Sequence, residues 1–132
     1  RVVRRILQKG RGHLRGGSTR QEYVLRMATS KMWLSTSEEG NTAGARTFEV
    51  LISGRALLLC DRNPAAYVPL GLIDGEHAVF FNSTEELTRR AFFYSRHEGY
   101  RQRIVANARQ LVLGRHLWKH RAEQIRQTVL AP

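Results

Sequence analysis

Cysteine, proline and acidic residues are scarce in this sequence, and long apolar runs are missing. The single cysteine, Cys60, leaves no partner for an internal disulfide, which is typical of a reducing compartment such as the cytoplasm. Because Cys60 ends an apolar stretch, we expect a buried thiol rather than a reactive one. No apolar run reaches the roughly 20 residues of a membrane-spanning helix. With 42% hydrophobic residues in a chain of 132, we expect one domain with one core.

Acidic residues are few overall, and most of them lie in the middle of the chain. Lys and Arg number 22 against 11 Asp and Glu, which gives a formal net charge of +11. Residues 1–31 and 86–132 carry the positive excess, whereas residues 32–85 are net acidic. Such basic flanks predict attraction to an anionic partner, which could be nucleic acid, an anionic membrane surface or an acidic protein domain.

Residues 1–17 form a basic, glycine-rich segment. Residues 9–17 hold four glycines and three basic side chains but match no dinucleotide-binding fingerprint. We interpret the segment as a flexible linker, with a backbone contact to phosphate as the alternative. The chain starts at Arg1 with neither an initiator Met nor a signal peptide, so we expect a fragment or an excised domain.

Hydrophobic periodicity divides residues 18–132 into alternating helices and short strands. Ser18 with Gln21 has the spacing of a capping box, and Ser83 with Glu86 repeats it, so each pair predicts a helix start. Pro64 suits the first turn of a short helix. The expected helices are 19–30, 46–53, a short one from 64, one from 84, 100–111 and 115–130, and the expected strands are 31–37, 55–60 and 77–81.

Single strands separated by helices imply parallel crossovers. We therefore predict an α/β fold for residues 18–132, with a Rossmann-like three-layer α/β/α arrangement around a short parallel sheet and three helices at the end. Ligands of such sheets bind beyond the carboxyl ends of the strands. Those ends are expected at residues 35–41, 61–64 and 82–84.

The helix that follows Gly44 carries the main functional signal. Its first residues are Ala45, Arg46 and Thr47, and a helix N-terminus with a guanidinium beside it suits a phosphate group. One turn further, Glu49 can accept hydrogen bonds from sugar hydroxyls, so the pattern predicts a nucleotide and favours a nucleotide-sugar. The alternative is a surface ion pair between Arg46 and Glu49.

Several other residues allow both a functional and a structural interpretation. Asp61 ends a strand, and we interpret it as a cap of the next turn, with a catalytic acid as the alternative. His116 and His120 have the i, i+4 spacing of metal ligands, but no third ligand follows, so we expect packing. The last helix is basic and amphipathic, which suits docking to another domain, a membrane or RNA. Core positions rather than base-stacking roles are predicted for Trp33, Phe92, Phe93, Tyr94 and Trp118.

A set of motifs occurs in a particular order after residue 18. They are Glu22-Tyr23, Trp33-Leu34-Ser35-Thr36-Ser37, Arg46-Thr47-Phe48-Glu49 with Gly54, Leu57-Leu58-Leu59, Gly75-Glu76-His77-Ala78-Val79-Phe80-Phe81, Glu85-Glu86-Leu87, Arg101-Gln102-Arg103-Ile104-Val105-Ala106-Asn107-Ala108 and His116-x-Trp118-x-x-Arg121. Over about residues 18–130 this ordered set resembles the carboxyl-terminal half of GT-B glycosyltransferases, in particular the group 1 transferases of the CgeB-like (spore maturation protein) type.

The resemblance implies a nucleoside-diphosphate-sugar donor, of UDP or GDP type, bound in this half of the enzyme. Glu49 would bind the donor ribose. Related retaining enzymes carry a second glutamate eight positions earlier, where this chain has Asn41, so Asn41 becomes the candidate sugar contact. The diphosphate cradle would consist of Gly44, Ala45, Arg46 and Thr47.

The resemblance also implies a partner domain. A GT-B enzyme works in a cleft between two domains, so an amino-terminal acceptor-binding domain is expected beside this one. No catalytic residue can be assigned, and no metal or other cofactor is implied because the helix N-terminus and Arg46 can balance the diphosphate charge. The sugar would pass to a hydroxyl of a glycan, lipid or protein, in the cytoplasm or at the periphery of a membrane.

A hypothesis of a different class is a non-catalytic descendant of the fold that binds RNA or another polyanion in an assembly. The basic flanks favour it, and so does Asn41 in place of a glutamate. Binding of this kind would weaken steeply with added salt, whereas a donor site would keep its nucleotide.

Overall fold

The structure is a computed structural model and describes residues 19–131. This part of the chain forms six α-helices and three short strands, which alternate as far as residue 81 and are followed by three helices in succession. The glycine-rich segment 1–17 lies outside the described residues, so the domain boundary drawn there stays a prediction. The elements are α1 (Arg20–Thr29), β1 (Met32–Leu34), α2 (Ala45–Ser53), β2 (Leu57–Asp61), α3 (Pro64–Tyr67), a 3-10 turn (Val68–Leu70), β3 (Val79–Phe81), α4 (Thr84–Arg96), α5 (Glu98–Arg115) and α6 (Trp118–Leu130).

The strands form one parallel sheet in the order β1-β2-β3. Trp33 is in register with Leu58, and Cys60 is in register with Phe80. Each crossover runs through a helix, α2 between the first two strands and α3 between the last two. The predicted short parallel sheet of an α/β fold is confirmed, and its carboxyl ends meet at one edge, where ligands of such sheets bind.

The central strand β2 is covered on both faces, and this makes the fold three-layered. Side chains alternate along a strand, so Leu58 and Cys60 point to one face while Leu57 and Leu59 point to the other. The first face packs against α1, α2 and the second half of α5, and the second face against α4 and the first half of α5. The predicted Rossmann-like α/β/α arrangement is therefore confirmed.

Cys60 lies in the first of these cores with no exposed surface. Burial in apolar surroundings raises the pKa of its thiol far above the usual range. The thiol is therefore protonated at neutral pH and packs as a small apolar side chain, as the sequence predicted.

Two helix starts differ in detail from the sequence prediction. Helix α1 is capped by Thr19, whose hydroxyl accepts from the amide of Glu22 while the Glu22 carboxylate accepts from the amide of Thr19. Ser18 lies outside the described residues, and the capping box forms one residue later than predicted, because Thr19 is a second hydroxyl residue and Glu22 follows it at the same spacing. At α4, Ser83 caps as predicted.

The second capping box is only half formed. The carboxylate of Glu86 accepts from the amide of Asn82, not from that of Ser83. Partial charge at the amino end of α4 still attracts this carboxylate, and the hydrogen bonds from Asn82 lower its pKa. The helix start was predicted correctly, but one partner of its cap was not.

Some residues predicted as core are exposed within the described part of the chain. Trp118 is 89% exposed, and Phe92 and Phe93 are 42% and 41% exposed, so the core prediction is wrong for these three. The sequence predicted that these aromatic residues lie on apolar helix faces, but it could not show whether another element covers those faces. Trp33 packs edge-on against Tyr23 beside the core, as expected. Among residues 19–131, no helix is long and apolar enough to cross a bilayer.

Candidate functional site

A cleft of about 890 Å³ opens at the carboxyl end of β1, in front of the amino end of α2. Its walls come from three segments that are distant in sequence. Helix α1 contributes Arg20 and Tyr23, residues 34–38 follow the strand, and α2 contributes Ala45, Arg46 and Glu49. The cleft therefore lies at the predicted place, and three of the predicted site residues line it.

The amino end of α2 is open toward this cleft. Gly44 is the N-cap and has no side chain with which to bond the helix amides. Within the described residues no acceptor bonds the amides of Ala45 and Arg46, and the amide of Thr47 reaches back to the Gly44 carbonyl at 3.1 Å. Two unbonded amides and the positive end of the helix dipole make this a place for an anion.

The side chain of Glu38 lies directly over Gly44. A Cβ at this position would meet the carboxylate of Glu38, which is the end of a flexible side chain and can move aside, so the close approach does not by itself require glycine. The exposed Glu38 side chain covers Gly44, which is itself buried. Glu38 therefore lines the cleft, although the resemblance expected a second acidic residue eight positions before Glu49, where this chain has Asn41.

Glu49 is oriented by a tyrosine from another helix. The hydroxyl of Tyr23 donates to Oε2 of Glu49 at 2.6 Å. Partial burial raises the pKa of Tyr23, and the hydrogen bond to Glu49 raises it further, so the hydroxyl keeps its proton and stays a donor. Among residues 19–131, Glu49 forms no ion pair with Arg46. The surface ion pair considered as the alternative is therefore absent from this part of the chain.

Two predicted site residues lie elsewhere. Thr47 has no exposed surface, and its Oγ1 is buried without a hydrogen-bond partner in the described residues. Asn41 has a positive φ of 55°, a conformation that asparagine tolerates better than most residues. Its Oδ1 accepts from Asn63 at 3.0 Å, and Asn41 is not part of the cleft wall. Their roles in binding stay predictions.

Asp61, at the end of β2, holds the cleft-lining residue Ser37 against the sheet through hydrogen bonds. Its carboxylate accepts from the amide and hydroxyl of Ser37 and from the hydroxyl of Tyr67. Partial burial opposes ionisation, but these hydrogen bonds hold the pKa of Asp61 below its usual value. The carboxylate of Asp61 therefore does not cap the following turn. In that turn the amide of Asn63 donates to the backbone carbonyl of Asp61 instead. The bonds to Ser37 were missed because neither spacing nor periodicity relates two residues 24 positions apart.

His116 and His120 serve as packing residues. Nε2 of His116 bonds the carbonyl of Leu70 at 2.8 Å, and its Nδ1 accepts from Arg121 at 2.7 Å. Burial, reinforced by the charge of Arg121, lowers the pKa of His116, which favours the neutral ring. Nδ1 of His120 accepts from the amide of Leu117 at the start of α6. Within residues 19–131 no three His, Cys, Asp or Glu side chains form a group that could hold a metal ion.

A family described as glycosyl transferase-like matches residues 4–127 of this sequence. The match covers nearly the whole chain and includes both helices and the strand end that form the cleft. The chain belongs to the glycosyl transferase-like family. Searches of curated proteins and of solved structures found no match.

Membership of the glycosyl transferase-like family agrees with the short parallel sheet and its flanking helices, which suit one Rossmann-like half of a glycosyltransferase. In general terms the family implies transfer of a sugar from a nucleotide-sugar donor to an acceptor. The family match does not favour the non-catalytic RNA-binding module considered from the sequence.

Proposed function

We propose that this domain is the donor-binding half of a GT-B glycosyltransferase of CgeB-like type. It would bind a nucleoside-diphosphate-sugar and present the sugar to a hydroxyl of a glycan, lipid or protein. One observation carries the proposal: the cleft joins an open helix N-terminus, an arginine and an oriented carboxylate in one space of nucleotide size.

The diphosphate would lie against the amino end of α2. Ala45 and Arg46 offer amides there, and Arg46 and Arg20 offer guanidinium groups from two helices. Amides and guanidiniums bind phosphate oxygens with charge-assisted hydrogen bonds. When the bond to the sugar breaks, negative charge grows on the departing diphosphate, and these same groups would stabilise it. The proposal therefore needs no metal, because fixed positive charge of the protein fulfils that role.

The ribose would lie beside Glu49. Because Tyr23 bonds only Oε2, the other carboxylate oxygen of Glu49 has capacity to accept from a ribose hydroxyl. The bond from Tyr23 also restricts the side chain, so less conformational freedom is lost on binding. For the sugar, the predicted contact Asn41 lies outside the cleft wall, with its Oδ1 bonded to Asn63, while Glu38 already lines the cleft.

Calorimetric titration with UDP, GDP and ADP tests the proposal. We expect saturable one-to-one binding with a preference for UDP or GDP, and we expect it to persist at moderate salt. Binding that is indifferent to the base and disappears with salt would support the polyanion-binding hypothesis instead. No binding of any of the three nucleotides would contradict the donor site in this domain.

A pair of variants tests the proposal that Glu49 binds the ribose. Glu49→Gln should weaken nucleotide binding about tenfold or more, because an amide accepts from a ribose hydroxyl less strongly than a carboxylate does. Its melting temperature should stay within a few degrees of the wild type, since Glu49 is exposed. Glu39→Gln is the matched control, because Glu39 is exposed and outside the cleft wall. Equal losses in both variants would contradict the ribose assignment.

A further inference from the structure

The carboxylate of Glu38 takes the place of a helix cap at the amino end of α2. A capping residue is normally serine, threonine, aspartate or asparagine, whose side-chain oxygen accepts from an amide of the first turn. Gly44 has no such side chain, and the carboxylate of Glu38 lies where its Cβ would stand. A negative group of the chain itself therefore lies at the helix end that suits an anion.

This carboxylate is not bonded at the helix end. Among residues 19–131, no amide in the first turn of α2 donates to a side chain. Within the same range, Glu38 forms no ion pair with Arg46 or Arg20. Attraction to the positive end of the helix holds the carboxylate in place. Because the side chain is exposed and makes no bond to the described residues, it can rotate aside at little cost.

The backbone that carries Glu38 is fixed, in contrast to its side chain. The amide of Glu38 donates to the carbonyl of Thr42 at 2.8 Å, which closes a tight turn. Just after β2, Nδ2 of Asn63 donates to Oγ of Ser37 at 2.9 Å and to Oδ1 of Asn41 at 3.0 Å. Both flanks of Glu38 are therefore held, and rotation of the side chain alone can open or close the end of α2.

We propose that Glu38 is a displaceable competitor of the ligand's phosphates. In the empty chain its carboxylate lies over the end of α2, and a diphosphate displaces it to reach the amides of Ala45 and Arg46. The nature of the ligand rests on the proposed function, whereas the competition rests on the position of Glu38. The two negative groups do not share this end, because like charges at close range repel each other strongly.

The competition gives the two acids of the cleft opposite effects. Glu49 strengthens nucleotide binding, whereas Glu38 weakens it. After transfer of the sugar, the nucleoside diphosphate has to leave the cleft, and product release limits the rate of many enzymes. The carboxylate of Glu38 returns to the end of α2 as the diphosphate leaves, which favours release.

Glu38→Gln tests the proposal in the intact chain. The amide keeps the size of the side chain and removes its charge. Calorimetric titration at about 0.15 M salt should therefore show UDP bound about three- to tenfold more tightly than by the wild type. Higher salt should reduce this gain, and the melting temperature should change by no more than a few degrees because Glu38 is exposed. Unchanged affinity would overturn the proposal, and weaker binding would make Glu38 a contact of the ligand instead.

Glu39→Gln is the matched control. It removes the same charge from the next residue, which is exposed and outside the cleft wall. Its affinity for UDP should differ from that of the wild type by less than about twofold, since salt screens the more distant charge. Equal gains in the two variants would assign the effect to net charge and refute a role for the position of Glu38.

Titration with pyrophosphate separates the competition from the proposed function. Pyrophosphate offers two phosphates without base or ribose, so Glu38→Gln should gain affinity for it as for UDP. If the variant gains affinity for pyrophosphate but no nucleotide binds, the competition stands and the donor assignment fails. If nucleotides bind but the variant gains affinity for neither ligand, the donor assignment stands and the competition fails. If neither ligand binds to either protein, the end of α2 is not an anion site and both fail.

Discussion

Two clusters of arginines and acidic residues lie at the carboxyl edge of the same sheet. They differ in whether their charges pair with each other or face a cleft. Between β2 and β3, Asp74 accepts from Arg62, Arg90 and the amide of Phe80, and Glu86 completes the group. Every carboxylate in this closed cluster has a basic partner. Partial burial opposes ionisation of Asp74, but the hydrogen bonds from Arg90 and Phe80 hold its pKa below the usual value.

The open cluster lies between β1 and α2. Among the described residues, Arg20 and Arg46 form no ion pair, and Glu49 is bonded by a neutral tyrosine. Both clusters contain the same residue types at the same edge of the sheet. In the closed one the charges satisfy each other and stabilise the fold, whereas in the open one they face a cleft and remain available to a ligand. Unpaired charge in a cleft marks the candidate site better than residue type does.

Removal of Asp61 should have the largest effect, because Asp61 holds the wall of the open cluster in place. In Asp61→Ala, two donors of Ser37 and one of Tyr67 lose their acceptor in a partly buried place. At about 1 kcal/mol for each donor we expect a loss of about 3 kcal/mol, or roughly 10 °C in melting temperature. Calorimetric or circular-dichroism melting measures it. Asp61→Asn, which keeps one acceptor oxygen, should lose less, and equal losses would contradict this account.

Exchange of one arginine in each cluster tests the comparison directly. Arg46→Ala should weaken nucleotide binding by about ten- to a hundredfold, the usual contribution of a charge-assisted hydrogen bond, with little change in melting temperature. Arg90→Ala should show the reverse: a loss of about 1–2 kcal/mol in stability and unchanged nucleotide affinity, because its ion pairs serve the fold. Calorimetric titration gives the nucleotide affinity of each variant, and thermal melting gives its stability. If Arg90→Ala lowered affinity as much as Arg46→Ala, the distinction between the clusters would fail.

Acidic pH should weaken the closed cluster. The pKa of Asp74 is lower in the folded chain than in the unfolded chain, so the unfolded chain binds more protons as the pH falls. The stabilisation is present above the unfolded pKa of about 4 and is lost as the pH falls through the folded pKa. Melting curves at a series of pH values should show this decline. In Asp74→Asn the decline should be shallower, and an unchanged slope would contradict the assignment.

The smallest effect is expected for Thr47, which lies behind the open cluster. Its buried hydroxyl finds no partner in the described residues, so Thr47→Val removes an unsatisfied polar group without a change of shape. We expect equal or slightly higher stability, by up to about 1 kcal/mol, and nearly unchanged nucleotide affinity. A tenfold loss of affinity would show that the Thr47 hydroxyl contacts the ligand, as the sequence predicted for the cradle.

Most of the fold and the place of the candidate site could be predicted from the sequence. Alternation of helical and strand periodicity predicted the parallel sheet, and the glycine before Ala45 and Arg46 predicted the helix end at which the cleft lies. The predicted strand 31–37 is shorter in the structure: β1 ends at Leu34, and the amide of Ser37 donates to the carboxylate of Asp61 instead of to a strand carbonyl. Local patterns could not show that competition, since it depends on a distant side chain.

The sequence by itself determined which residues share a face and where each helix can start, because periodicity and capping are local properties of the chain. It thereby placed Arg46 and Glu49 one turn apart at the start of α2. Only the tertiary structure decided what lies opposite the start of α2: Tyr23 bonds Glu49, and the side chain of Glu38 lies over Gly44. Whether a charge is paired, or an apolar face covered, depends on elements far apart in the chain, and only packing brings those together.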